Sequence, residues 1–133
     1  MPEAYFDAVV PHLLRVAPRL QVVYLQIRPD LSRERLAALA TAGVRRVEAG
    51  GESLGTSVLR LMRKGTTMIT NVQFLKWARE FGLDVVWNVL WGLPGESAAD
   101  YQRMADLVPL LTHLQPPNTV GAFRLDRFSP VFE

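Results

Sequence analysis

The segment Val85-Val86-Trp87-Asn88-Val89-Leu90-Trp91-Gly92-Leu93-Pro94-Gly95-Glu96 constrains the fold of this 133-residue chain more than any other. An apolar, β-branched stretch broken by one Asn stops at a Gly-Leu-Pro-Gly turn and delivers a carboxylate. Such a run, bounded by turn residues, is how a buried parallel strand reads in sequence. Its end faces the rim where parallel α/β folds bind ligands. Asn88 sits inside the run, where an amide without a partner costs roughly 1–3 kcal/mol. The sequence therefore demands a partner for it.

The rest of the chain alternates short strand-like runs with helical periods. Residues 3–16 read as an amphipathic helix bearing Phe6, Val9, Val10 and Leu13, with a kink expected at Pro11. Gln21–Ile27 reads as a strand, and Ser32 caps a helix through Leu36, Leu39 and Ala40 that Gly43 ends. Val44–Glu48 is a short strand leading into Ala49-Gly50-Gly51-Glu52-Ser53. A helix through Val58, Leu59 and Met62 is expected to stop at Gly65. The next is capped by Thr66 or Thr67 and runs to Gly82 through Val72, Leu75 and Ala78.

After the tryptophan strand, Ser97 and Asp100 form a variant capping box for a helix carrying Tyr101, Met104, Leu107 and Leu111, bent or ended by Pro109. His113–Thr119 reads as a proline-bearing loop and Val120–Leu125 as the last strand. Trp87 and Trp91 share one strand face with Val89 and are expected to pack under outer helices. Repeated strand–helix units with short loops make parallel βα architecture, with right-handed crossovers. About four strands fall short of the eight of a complete (β/α) barrel. The expected fold is a single α/β domain forming a partial parallel (β/α) barrel with exposed strand edges.

Composition removes several function classes. There is no Cys in the chain, which excludes disulfides, thiolate metal sites and a cysteine nucleophile, and its two His make a zinc site improbable on donor count. A formal net charge of +2 with scattered Lys and Arg argues against nucleic acid as a partner. No apolar run approaches the ~18 residues of a membrane span, and the acidic N-terminal segment with Glu3 and Asp7 is not a signal peptide. The expected location is cytoplasmic. No Gly-rich phosphate loop and no Gly-x-Ser-x-Gly elbow is present.

Three polar clusters fall at predicted strand ends: Gln26 with Arg28, Glu48 with Glu52 and Ser53 around the Gly50-Gly51 turn, and Asn88 with Glu96 around the Gly92–Gly95 turn. Their carboxylates and amides suit ribose hydroxyls, an amine and an adenine edge. Each also has a structural reading. Glu96 serves equally to complement a helix dipole, and Arg63-Lys64-Gly65 to end a helix with cations.

Several of these motifs, taken in order, resemble a known family. Gly50-Gly51-Glu52-Ser53-Leu54, Val58-Leu59-Arg60-Leu61-Met62-Arg63-Lys64-Gly65-Thr66-Thr67 and Trp87–Glu96 are similar to segments of cobalamin-type radical S-adenosylmethionine (SAM) enzymes. His113-Leu114-Gln115-Pro116-Pro117 and Arg124-Leu125-Asp126-Arg127-Phe128-Ser129-Pro130 narrow the resemblance to the radical SAM proteins called RiPP maturation radical SAM protein 1, which modify ribosomally made peptides. The chain departs from that pattern at Gln26, where the family often has an acid, and at Gly51, where it often has Ile.

The resemblance implies the C-terminal portion of a radical SAM (β/α)6 barrel, from the third strand onward, with SAM at the strand ends. Glu52 and Ser53 match positions for the SAM ribose. Asn88, Leu90, Gly92 and Pro94 lie in the segment matching the one along adenine, and Gln26 and Arg28 match positions near the ribose or methionyl group. The family's four-iron four-sulfur cluster is held by three cysteines that would precede Met1, with cobalamin bound further upstream. A chain without Cys is expected to hold no such cluster and no catalytic residue of its own, so to be inactive alone. The implied partners are a precursor peptide and a cluster-bearing N-terminal half. Two alternatives remain open: a non-catalytic or split-enzyme half-barrel that binds a partner chain or peptide, and a small (β/α) hydrolase using Glu52 and Glu96 as acid and base.

Overall fold

The structure is a computed structural model that describes residues 4–16 and 24–124. Its described residues form five α-helices and five parallel strands, in the order α1 (Ala4–Val16), β1 (Tyr24–Ile27), α2 (Arg33–Thr41), β2 (Arg46–Ala49), α3 (Thr56–Leu61), α4 (Met68–Glu80), β3 (Asp84–Val86), β4 (Asn88–Trp91), α5 (Ala98–Leu107) and β5 (Thr119–Ala122). The first strand expected over 21–27 is described only from Tyr24, and the motif from Leu125 to Pro130 lies outside the described residues.

Local chemistry sets most boundaries. The Ser32 hydroxyl accepts the Arg35 N–H at the start of α2, and the Thr67 hydroxyl accepts the Thr70 N–H at the start of α4. Gly43 and Gly82 follow α2 and α4 with φ of 88° and 68°, the left-handed turn that glycine adopts without strain. The third helix breaks the expectation. It ends at Leu61 rather than running to Gly65, because Arg63 takes the left-handed position at φ 53° and the Lys64 N–H returns to the Leu59 carbonyl. At α5 the Asp100 carboxylate accepts both the Ser97 N–H (2.9 Å) and the Ser97 hydroxyl (2.8 Å), and Pro109 sits in a 3-10 turn directly after the helix. Pro11 lies inside α1, which continues past it to Val16.

β1, β2 and β3 form one parallel ladder, with Gln26 opposite Glu48 and Glu48 opposite Val86. β4 and β5 form a second, with Asn88 opposite Thr119. β3 and β4 are the two halves of the tryptophan strand, which changes neighbour at Trp87. The single strand expected there is therefore divided. Its first half leans on β2 and its second on β5.

The segment before β5 joins the halves by mimicking a strand with side chains. Gln115 Oε1 accepts the Val85 N–H at 2.9 Å, and the Trp87 indole N–H donates to the Gln115 carbonyl at 3.2 Å. The result is part of a (β/α) barrel that does not close among the described residues.

Helices α1, α2 and α4 pack over one face of the first ladder. Phe6, Val10, Leu36, Leu39, Phe74 and Ala78 meet Ile27, Val47, Ala49, Val85 and Trp87 there. A second cluster joins Val58 and Met62, on and just after α3, to Leu93, with Leu90 and Phe123 against it. The tryptophans do not share one environment: Trp87 is buried at 4% exposure, whereas Trp91 is 49% exposed at the end of β4, outside the main cluster. The alternate residues Tyr24, Gln26, Arg46 and Glu48 stand on the face opposite the helices. There the Tyr24 hydroxyl donates to Glu48 at 2.5 Å, and Arg46 meets Asp84 at 2.6 Å. This polar face is the inner wall of the partial barrel.

Candidate functional site

The C-terminal ends of β1 and β2 frame a cleft of about 180 Å³ lined by Ile27, Arg28, Pro29, Gly50, Lys64 and Thr66. Two cations stand at its edge. Lys64 Nζ lies 2.7 Å from Glu52 Oε2, both side chains being about three-quarters buried or somewhat less. Arg28 is held by Asp30 through two nitrogens, at 3.0 and 2.7 Å, which fixes the guanidinium beside the strand end. The Asp30 carboxyl lies below its ordinary value because it accepts those bonds. Beside the cleft the Thr66 hydroxyl is buried and has no partner among the described residues. A buried hydroxyl without an acceptor or donor costs about 1–3 kcal/mol unless something meets it. Each cation is already paired, Lys64 with Glu52 and Arg28 with Asp30, so the edge offers two ion pairs with which a ligand bearing both a carboxylate and an amine could exchange partners.

Glu52 reaches this edge through an unusual backbone. Its φ is 46°, a left-handed conformation costing a non-glycine residue roughly 1–2 kcal/mol. Tight turns flank it: the Gly51 N–H donates to the Ala49 carbonyl at 2.7 Å and the Ser53 N–H to the Gly51 carbonyl at 2.6 Å. The Glu52 carbonyl accepts the Leu90 N–H at 3.0 Å, which ties the loop after β2 to β4. From α4, the Asn71 amide donates to the Gly51 carbonyl at 2.7 Å and the Ser53 carbonyl at 2.8 Å. A Cβ on Gly51 would stand 3.7 Å from Asn71 and 3.8 Å from Trp87, ordinary contact distances, so the space admits a side chain at this position.

The residues singled out from sequence are therefore dispersed in role. Glu52, Arg28 and Gly50 come together around the cleft. Gln26 is exposed on the inner wall, level with Glu48. Ser53 is not at the rim: it is fully buried, its hydroxyl accepting the Gly55 N–H at 3.0 Å and pointing at Met104. Asn88 has the partner its position demanded, accepting the Thr119 hydroxyl at 2.8 Å. Leu90 is half-buried against the second cluster, and Gly92 and Pro94 are exposed in the turn beyond it.

Glu96 braces that turn, accepting the Gly92 N–H at 2.5 Å. The neighbouring Tyr101 hydroxyl is pushed up to about 12 by burial first and by the Glu96 carboxylate next. Glu52 and Glu96 thus have separate tasks, one at the cation and one at the turn.

Sequence reasoning passed over Lys64, Thr66 and Asn71. Lys64 reads as a helix-ending cation, and nothing in the sequence places it opposite Glu52. Asn71 did leave a signal. It occupies the apolar stripe of α4 with Phe74, Leu75 and Ala78, where a polar residue needs buried partners.

A family model described as the radical SAM superfamily matches residues 4–108. The chain is 26% identical over 87 residues to the tRNA uridine(34) acetyltransferase of Methanocaldococcus infernus, covering 65% of this chain and 16% of that enzyme. The radical SAM methyltransferase TsrM of Kitasatospora setae, solved with cobalamin and a 4Fe-4S cluster bound, superimposes with a TM-score of 0.75 at 20% identity, over 97% of this chain and 25% of its own. The Elp3 of Methanocaldococcus infernus with an N-terminal deletion superimposes with a TM-score of 0.62 at 17% identity, over 94% of this chain and 35% of its own. The chain spans about a sixth of its curated relative and at most about a third of these solved structures.

Proposed function

The chain belongs to the radical SAM superfamily, and from that premise we propose that it forms the SAM-holding rim of a barrel that modifies, by methylation, a ribosomally made peptide. The observation that carries this reading is the cleft where Lys64, Arg28 and the partnerless Thr66 hydroxyl meet at the ends of β1 and β2. The donor set fits the amino-acid end of SAM. The ligand carboxylate takes up Lys64 and Arg28 in exchange with Glu52 and Asp30, and Glu52 accepts hydrogen bonds from the amine or the ribose hydroxyls. The edge from Asn88 through Leu90, Gly92 and Pro94 lies along adenine, with Glu96 bracing the turn. Gln26 faces the same lumen.

Bound SAM supplies an activated sulfonium for group transfer. The chain's residues orient it and keep its polar groups satisfied as water leaves. The iron–sulfur cluster does not fit this chain, which has no Cys to supply a thiolate. Cleavage of SAM then requires a cluster held by another polypeptide or by sequence outside these residues, and the chain alone is silent.

The peptide assignment is supported by the motifs His113–Pro117 and Arg124–Pro130, and methylation by the likeness to a methyltransferase fold. A cytoplasmic setting and a cluster-bearing partner half belong to the same reading. No helix among the described residues is long and apolar enough to cross a membrane.

Calorimetric titration of SAM into the purified chain, beside Glu52→Ala, tests the rim. Micromolar binding that weakens at least tenfold in the variant supports the reading. Absence of binding by the wild-type chain, with its fold intact by circular dichroism, overturns it.

A further inference from the structure

We infer that Asn71, far from the inner wall on α4, is the positioning residue that sets the conformation of Glu52 and so of the whole rim. The inference rests on the SAM-rim reading for its functional consequence, but its structural content stands apart from it. Asn71 is 3% exposed, and its one NH2 group bridges the Gly51 and Ser53 carbonyls, the two that straddle Glu52. Both flanking carbonyls are thereby drawn toward α4, which turns the residue between them the other way. Glu52 is held at φ 46° with its carboxylate on Lys64 and its carbonyl on the Leu90 N–H.

Without the bridge, the Lys64 ion pair, the Leu90 hydrogen bond and the two flanking turns are left alone against relaxation of Glu52 to ordinary negative φ. That relaxation moves the carboxylate off Lys64 and releases Leu90. A side chain that filled the same space with no donors would not hold the loop. Asn71 Oδ1, buried and without a partner, shows that the site is built around the two donors rather than around full satisfaction of the amide.

Amide exchange measured by NMR on the full chain, with no ligand present, tests the clamp. The variants are Asn71→Ala and the nearly isosteric Asn71→Leu. Exchange at Ser53 and Leu90 is expected to quicken about tenfold or more in both. Val47 and Val85, in the β2–β3 ladder, keep wild-type rates. Wild-type protection at Ser53 and Leu90 in Asn71→Leu overturns the inference, because it assigns Asn71 to packing alone. If Asn71→Ala does not fold, Asn71→Leu, which preserves the apolar stripe, gives the same decision. Calorimetry then links clamp to function: SAM affinity falls at least tenfold in Asn71→Leu. Failure of the wild-type chain to bind SAM sinks the rim reading and leaves the exchange result standing. Unchanged affinity in a variant whose loop has loosened overturns the positioning role.

Discussion

Trp87 and Asn118 exchange two hydrogen bonds, the Trp87 N–H donating to Asn118 Oδ1 at 3.0 Å and the Asn118 N–H to the Trp87 carbonyl at 2.8 Å. They mark the point where one strand leaves the first ladder and enters the second. Upstream of that point, Gln115 stands in for a missing neighbour by accepting the Val85 N–H and donating to Asp84.

Removing that substitute leaves a partly buried strand N–H without an acceptor. Gln115→Ala is expected to destabilise the chain by about 1–3 kcal/mol and Asn118→Ala, at a more exposed position, by about 1 kcal/mol. Urea midpoints at unchanged slope measure both. Equal stability of Gln115→Ala and wild type would refute the strand-mimic role.

Lys64 separates binding from stability. Its pair with Glu52 is only partly buried, so Lys64→Met is expected to change stability by less than about 1 kcal/mol. SAM affinity is expected to fall tenfold or more, with a weaker dependence on salt than in wild type. Thermal melts and calorimetry at low and moderate salt read the two effects separately.

Asp100 is expected to make the protein acid-sensitive. The Ser57 hydroxyl first, then Ser97 through its hydroxyl and N–H, and Arg103 hold its carboxyl far below the ordinary value of 3.8. The group is depressed in the folded state, so its contribution is present above the unfolded value and is lost as pH falls below about 3.8 toward the folded one. Asp100→Asn is expected to melt below wild type at pH 7, with the gap narrowing from pH 5 to pH 2.5. A gap independent of pH in that window would contradict the assignment.

The core is expected to depend on Phe74, 1% exposed between α4 and the sheet. Phe74→Ala should cost about 3–5 kcal/mol. On the same helix, Ile69→Ala, at 67% exposure, should stay within about 0.5 kcal/mol. Chemical denaturation of both variants makes the comparison.

Of the three tryptophans, Trp91 is the most exposed, Trp77 is half-buried and Trp87 is buried. Acrylamide quenching of the native chain is expected to lose its most quenchable component in Trp91→Phe. Persistence of that component would place Trp91 in the core.

The sequence by itself determined the parallel βα order, the helix starts at Ser32, at Thr66 or Thr67 and at Ser97, and the stops at Gly43 and Gly82. All of these are written in hydrophobic period and in the chemistry of a few capping residues, which act within one turn. It also pointed to a partner for Asn88, although the structure leaves that residue half-buried rather than buried. Only the tertiary structure decided that Thr119 would be that partner, that the tryptophan strand would split at Trp87, and that Ser53 would turn inward while Glu52 turned out. Those outcomes depend on contacts across 12 to 31 positions: Glu52 with Lys64 12 apart, Asn71 with Ser53 18 and with Gly51 20, Gln115 with Val85 30 and Asn88 with Thr119 31. Local propensity is silent over such spans. The left-handed Glu52 is the clearest case: nothing in Gly-Gly-Glu-Ser favours it, and it exists because α4 brings one buried amide to two carbonyls.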